Sequence, residues 1–169
     1  MDQIYKKLDI LLLNKNFHLI LSYSLLLILP LILPTPQLLL GILVNFLLIA
    51  TATQFETRKI IPATFIPSIS SYTYGLLFGS ASTFLLYLIP VIGISNILYI
   101  SVYKTIKRKY LNILTASLLK SLFLFSITYL LVKLEILPNI FLIPMGIIQF
   151  FTALTGGLLA DTLLLRNIR

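Results

Sequence analysis

The chain has 169 residues, 59% of them apolar and 11% charged, with 13 Lys and Arg against 5 Asp and Glu. A soluble domain carries about 25% charged residues, so this composition excludes a soluble enzyme, a disordered chain and a nucleic-acid-binding domain, and points to an all-α membrane protein. There is no Cys, which removes disulfides, thiolate metal sites and Cys-held iron–sulfur clusters.

Residues 1–16 carry Lys6, Lys7 and Lys15 and read as a cytoplasmic or interfacial lead-in. Crossing a hydrocarbon core of about 30 Å takes about 20 apolar residues in a helix. The first such run covers about 17–33, and no small-residue cleavage site follows it, so it is expected to stay as a span. Pro34-Thr35-Pro36 stops it, and the second span runs over about 37–57, up to Arg58-Lys59. The region 60–78 is less apolar, with Pro62, Pro67, Ser68, Ser70, Ser71, Tyr72 and Tyr74. It is expected to form a short or broken third transmembrane helix, tolerated where neighbouring protein covers it. Gly79-Ser80-Ala81-Ser82 turns the chain into a fourth span, about 83–103, with Pro90 and Gly93 as bend points. The basic loop Lys104 to Lys109 leads to a fifth span, about 111–132, and Leu137-Pro138-Asn139 turns the chain into the last, about 140–165. Residues 1–169 thus read as one integral membrane domain with six crossings.

The charges test this count independently. With six crossings one side holds Lys6, Lys7, Lys15, Arg58, Lys59, Lys104, Lys107, Arg108, Lys109, Arg166 and Arg169, and the other holds Lys133, eleven against one. The positive-inside rule then puts both termini in the cytoplasm of a cell with this chain in its inner membrane. Without a crossing at the third region, Lys104 to Lys109 would move outside and the bias would weaken.

Polar groups within spans are costly and are functional candidates by default. At about 1.5 Å of rise per residue, Asn45 lies about 12 Å in from Gln37, Gln149 about 14 Å in from Ile140, and Lys120 about 15 Å in from Tyr110. These three are expected at one mid-membrane layer, with Asn96 nearer the cytoplasm. Lys120 has no acid near it in its span; it faces the bundle interior and holds an anionic group or becomes neutral by desolvation, or else it snorkels to the cytoplasmic surface. Asn45, Asn96 and Gln149 suit interhelical packing as well as ligand binding. Ser68 and its neighbours either line a cavity, with carbonyls freed by Pro62 and Pro67, or belong to an irregular helix covered by others. Gly75 to Gly79 is a GxxxG pattern, and Ala153 to Gly157 a small-xxx-small face, either of which permits close helix contact or partner docking.

No paired-carboxylate motif, Gly-rich phosphate loop or Ser/His/Asp order is present, and His18 is the single His. No enzymatic activity, metal or cofactor is therefore expected. No carboxylate sits at mid-span for proton coupling, and there is no nucleotide-binding element to energise transport.

Gly41-Ile42-Leu43-Val44-Asn45, Ile66-Pro67-Ser68, Ile89-Pro90 with Ser95-Asn96, Ser117-Leu118-Leu119-Lys120, and Gln149 with Thr152-Ala153-Leu154-Thr155-Gly156-Gly157 occur in that order over about 35–160. This ordered set resembles small prokaryotic six-span proteins similar to the S components of energy-coupling-factor (ECF) transporters. The resemblance implies an S-component-like bundle that captures a small-molecule solute for uptake, partnered by a membrane coupling subunit and ATPases. The chain departs from many S components in lacking an AxxxA contact in its first helix, its first Ala being Ala50, and in having very short outer loops. The expected ligand-binding residues are Asn45, Ser68, Asn96, Lys120 and Gln149, and the expected packing or partner contacts are Gly75, Gly79, Ala153 and Gly157. The other reading is a non-transporting membrane scaffold or assembly factor, with the polar layer as packing glue.

Overall fold

The computed structural model describes residues 14–33, 37–75 and 78–165. Most of the basic lead-in, the Pro34-Thr35-Pro36 stop, Arg166 and Arg169 lie outside the described residues. Six α-helices account for most of the described residues: α1 Lys15–Ile32, α2 Gln37–Gln54, α3 Thr57–Tyr74, α4 Leu85–Thr105, α5 Leu111–Lys133 and α6 Gln149–Leu165. Five segments are long and apolar enough to cross a membrane: Lys15–Ile32, Gln37–Gln54, Ala81–Thr105, Leu111–Lys133 and Asn139–Leu163. Their boundaries follow the hydropathy reading within a few residues, because an apolar run of this length has no other way to satisfy its backbone in lipid than as a helix.

The third region departs from expectation. It is a continuous helix of 18 residues, neither short nor broken, although Pro62 and Pro67 lie inside it. Each proline removes one backbone donor, and polar side chains tie this stretch to itself and to its neighbours. Thr64 and Ser68 donate to their own helix at Ile61 O (2.6 Å) and Phe65 O (2.9 Å). Asn96 Nδ2 of α4 donates to Thr64 O at 2.8 Å. From α1, Tyr23 donates to Lys59 O, and Ser70 Oγ of α3 donates back to Leu27 O at 2.5 Å. Hence α3 is held between α1 and α4 by polar contacts as much as by apolar ones, which is how a helix of such low apolarity keeps its place.

Gly75 ends α3 in a left-handed conformation (φ 63°), its N–H donating to Ser71 O and Tyr72 O, and Gly79 opens a 3₁₀ turn, Gly79–Phe84. The two glycines of the GxxxG pattern therefore share no helical face, and the expectation of a packing stripe there is corrected. A positive φ is the reason glycine stands at position 75.

The last span is compound. A 3₁₀ turn, Asn139–Phe141, is followed by a π-helical turn, Pro144–Ile148, before α6 begins. Pro144 has no N–H and its ring crowds the carbonyl four residues back, so the backbone widens there. Helices α2 and α6 approach closely at Gly156. A Cβ on Gly156 would overlap Ile42 O and lie 2.8 Å from Phe46 N and 2.9 Å from Asn45 Cβ. Ala153 and Gly157 face a different neighbour: Tyr99 of α4 donates to Ala153 O at 2.6 Å, and its hydroxyl lies against Gly157.

Three apolar clusters surround the middle of the bundle. One joins α1, α2 and α3 around Leu26, Leu48 and Ile60. A second joins α2, α4, α5 and α6 around Ile49, Tyr99, Ile113 and Ala153. The third closes the opposite end, around Leu85, Leu124, Phe141 and Met145. The basic end of the bundle is tied by Lys104 Nζ, which donates to Phe55 O at 2.6 Å.

Candidate functional site

A cavity opens between α2, α3, α4, α5 and α6, towards the end of the bundle where Gln37, Phe78 and Leu85 meet. The space open to the centres of water-sized molecules is about 80 Å³, enough for several waters or one small solute. All five residues expected to bind a ligand line it: Asn45, Ser68, Asn96, Lys120 and Gln149, each from a different helix.

Lys120 does not snorkel. Its side chain is 2% exposed, and Nζ donates to Asn45 Oδ1 at 2.5 Å. The ammonium also lies over the Tyr99 ring, 5.1 Å from its centroid, a favourable placement for a cation against the negative ring face. Among the described residues it has no carboxylate partner. An ammonium carries three donors, and one of them is used by Asn45.

Asn45 is fully engaged. Its Nδ2 donates to Gly41 O at 2.8 Å and lies 3.4 Å from Thr152 Oγ1, while Oδ1 receives Lys120. Thr152 in turn donates to Gln149 O at 3.2 Å. The close approach of α2 and α6 at Gly156 makes this chain of contacts short enough to close. Asn96 was expected nearer the cytoplasm, yet it lines the same cavity. Counted from Leu85 at the cavity mouth, Asn96 is eleven residues in, about 17 Å, so it lies at the deeper end of the cavity, as its depth in the sequence implies.

Several polar groups on the cavity wall are less committed. Asn96 Oδ1 accepts no hydrogen bond among the described residues although it is buried. The side chains of Gln149, Gln37 and Ser71 line the cavity and make no hydrogen bond among the described residues. The π turn at Pro144–Ile148 sets Met145, Ile148 and Gln149 along one wall. Ser70, from the same serine-rich stretch as Ser68, points away to α1.

Sequence reasoning missed Tyr99 and Gln37. Tyr99 is three residues after Asn96 and so shares its helix face, a signal that was available. Gln37, at the first turn of a span, looks like any interfacial polar residue. No group of three His, Cys, Asp or Glu capable of holding a metal ion occurs among the described residues.

No protein-family model, curated protein or solved structure matches this chain.

Proposed function

We propose that this chain is a six-span inner-membrane protein with cytoplasmic termini that binds a small polar or anionic solute in the cavity floored by Lys120. In this reading it resembles an S component: it captures the solute from the outer side and relies on a separate coupling subunit and ATPases for uptake. One observation carries the proposal. A buried ammonium with a single hydrogen-bond partner among the described residues faces a cavity whose wall also holds the side chains of Gln149, Gln37 and Ser71, which are unpaired among those residues. Packing glue behaves otherwise: polar groups that only hold helices together pair with one another, as Asn45 does with Thr152 and Gly41. Uncommitted polar groups beside an ammonium support a ligand as the missing partner.

The test uses the purified full chain in lipid nanodiscs against a panel of vitamins and small anions, read by calorimetry. A bound solute whose affinity falls at least ten-fold in Lys120→Ala, with ligand-free unfolding still cooperative, is the expected result. No bound solute, or binding indifferent to Lys120→Ala, sinks the proposal and favours a scaffold. In that case affinity capture from membranes should return envelope or enzyme-complex proteins in place of ATPases.

A further inference from the structure

The cavity wall is selective in charge, in hydrogen-bond polarity and in size. Lys120 is the one ionisable side chain among the described residues that line it. A single anionic group can pair with its remaining donors, whereas a second anionic charge would be buried without a partner at a large desolvation cost. Much of the rest of the wall is apolar, from Leu40, Val44, Leu85, Ile92, Met145 and Ile148.

Beside the uncommitted amides of Gln149 and Gln37 and the hydroxyl of Ser71, two groups of the wall, Asn96 and Ser68, present acceptors. Asn96 Nδ2 donates to Thr64 O at 2.8 Å. A peptide carbonyl only accepts, so this contact decides which way the amide points. Its Oδ1 is then left as a buried acceptor without a donor among the described residues. Ser68 spends its hydroxyl proton on Phe65 O and presents lone pairs only. An unmet buried acceptor favours a ligand that brings an O–H or N–H to it, and penalises an analogue that does not.

On the reading that this cavity binds a solute, we propose that its ligand is a small monocarboxylate with a mostly apolar body and one O–H or N–H donor. The carboxylate pairs with Lys120 and the donor reaches Asn96 Oδ1. A matched series of probes isolates each requirement: 6-hydroxyhexanoate, hexanoate without the donor, hexane-1,6-diol without the charge, and adipate with a second charge. A fifth probe, 12-hydroxydodecanoate, separates a small solute from a lipid-derived acid of the same chemistry.

Calorimetry on the unaltered full chain in nanodiscs makes the test independent of whether any variant folds. The expected result is that 6-hydroxyhexanoate binds at least ten-fold more tightly than each of the other four. In Lys120→Met its advantage over the diol should vanish, and in Asn96→Ala its advantage over hexanoate should vanish. The inference is overturned if hexanoate, the diol, adipate or the long acid equals it, or if none of the five binds. Should a phosphate or a nucleoside bind instead in a Lys120-dependent way, solute binding stands and the carboxylate class falls. Should no solute of any class bind, both fall.

Discussion

Replacing Asn45 with Leu removes the acceptor on which the Lys120 ammonium rests, at 2.5 Å, and leaves a cation that is 2% exposed without a hydrogen bond. Losing a hydrogen bond made to a charged group costs about 1.5–3 kcal/mol. Replacing Lys120 with Met, which fills a similar volume, leaves Asn45 Oδ1 as a buried acceptor with no donor, at about 1–3 kcal/mol. In the double variant both penalties disappear together. What remains is the loss of the Asn45 contacts to Gly41 O and Thr152 Oγ1, worth about 1–2 kcal/mol. Taking the middle of each range, the double variant should be more stable than Asn45→Leu alone, with a coupling of about 2–3 kcal/mol. The measurement is reversible unfolding of the full chain in mixed micelles, followed by circular dichroism because there is no Trp to report. Additivity of the two changes within about 0.5 kcal/mol would refute the reasoning, for it would mean that the Lys120 ammonium reaches water or headgroups and does not lean on Asn45.

Gly156→Ala should destabilise the bundle by about 1 kcal/mol or more in the same unfolding assay. The added methyl meets the α2 backbone at Phe46 N and Ile42 O, and such overpacking, about 1–3 kcal/mol, exceeds the gain of about 1 kcal/mol from alanine's helix propensity; an unchanged variant would show that α2 and α6 are not in contact there. Asp161→Asn should be neutral or stabilising by up to about 1 kcal/mol, because Asp161 is 3% exposed and, among the described residues, its Oδ2 has no partner and its Oδ1 has only a long contact of 3.5 Å from Tyr103. A loss larger than 1 kcal/mol would reveal a cationic partner for this carboxylate. Since the chain has no Cys of its own, single substitutions report topology directly: Glu135→Cys should react with an impermeant maleimide on intact cells, and Lys107→Cys only after lysis. Equal access at both positions would mean that the count of six crossings is wrong.

Hydropathy made five helices legible because it sums over 18 residues or more, and a local error hardly moves such a sum. It failed at α3, where Pro62, Pro67 and the serines lowered the sum and suggested a break. The helix persists through contacts the sequence pattern cannot express. Tyr23 and Lys59 are 36 residues apart, Asn96 and Thr64 32 apart, and each pair depends on how two helices are rotated about their axes. The GxxxG pattern failed for a related reason: spacing alone does not reveal that Gly75 has a positive φ and ends its helix.

The cavity was more legible than the helix that lines it, and the physical reason lies in the solvent. In water a polar side chain can face outwards at no cost, so its position in sequence says little about its neighbours. In a span, an amide or ammonium at mid-depth has to turn inwards. Inward-facing groups at equal depth on neighbouring helices then have few places to go. Rise per residue therefore brought Asn45, Lys120 and Gln149 to one layer before any contact was known, and they line one cavity. The same arithmetic could not say which group pairs with which. That Lys120 takes Asn45 Oδ1 while Asn96 Oδ1 goes without a donor among the described residues depends on Gly156 drawing α2 against α6 and on Thr64 holding the Asn96 amide. The distinction matters for function, because depth predicts where a polar cavity forms, whereas the unpaired atoms in it define what the cavity can accept.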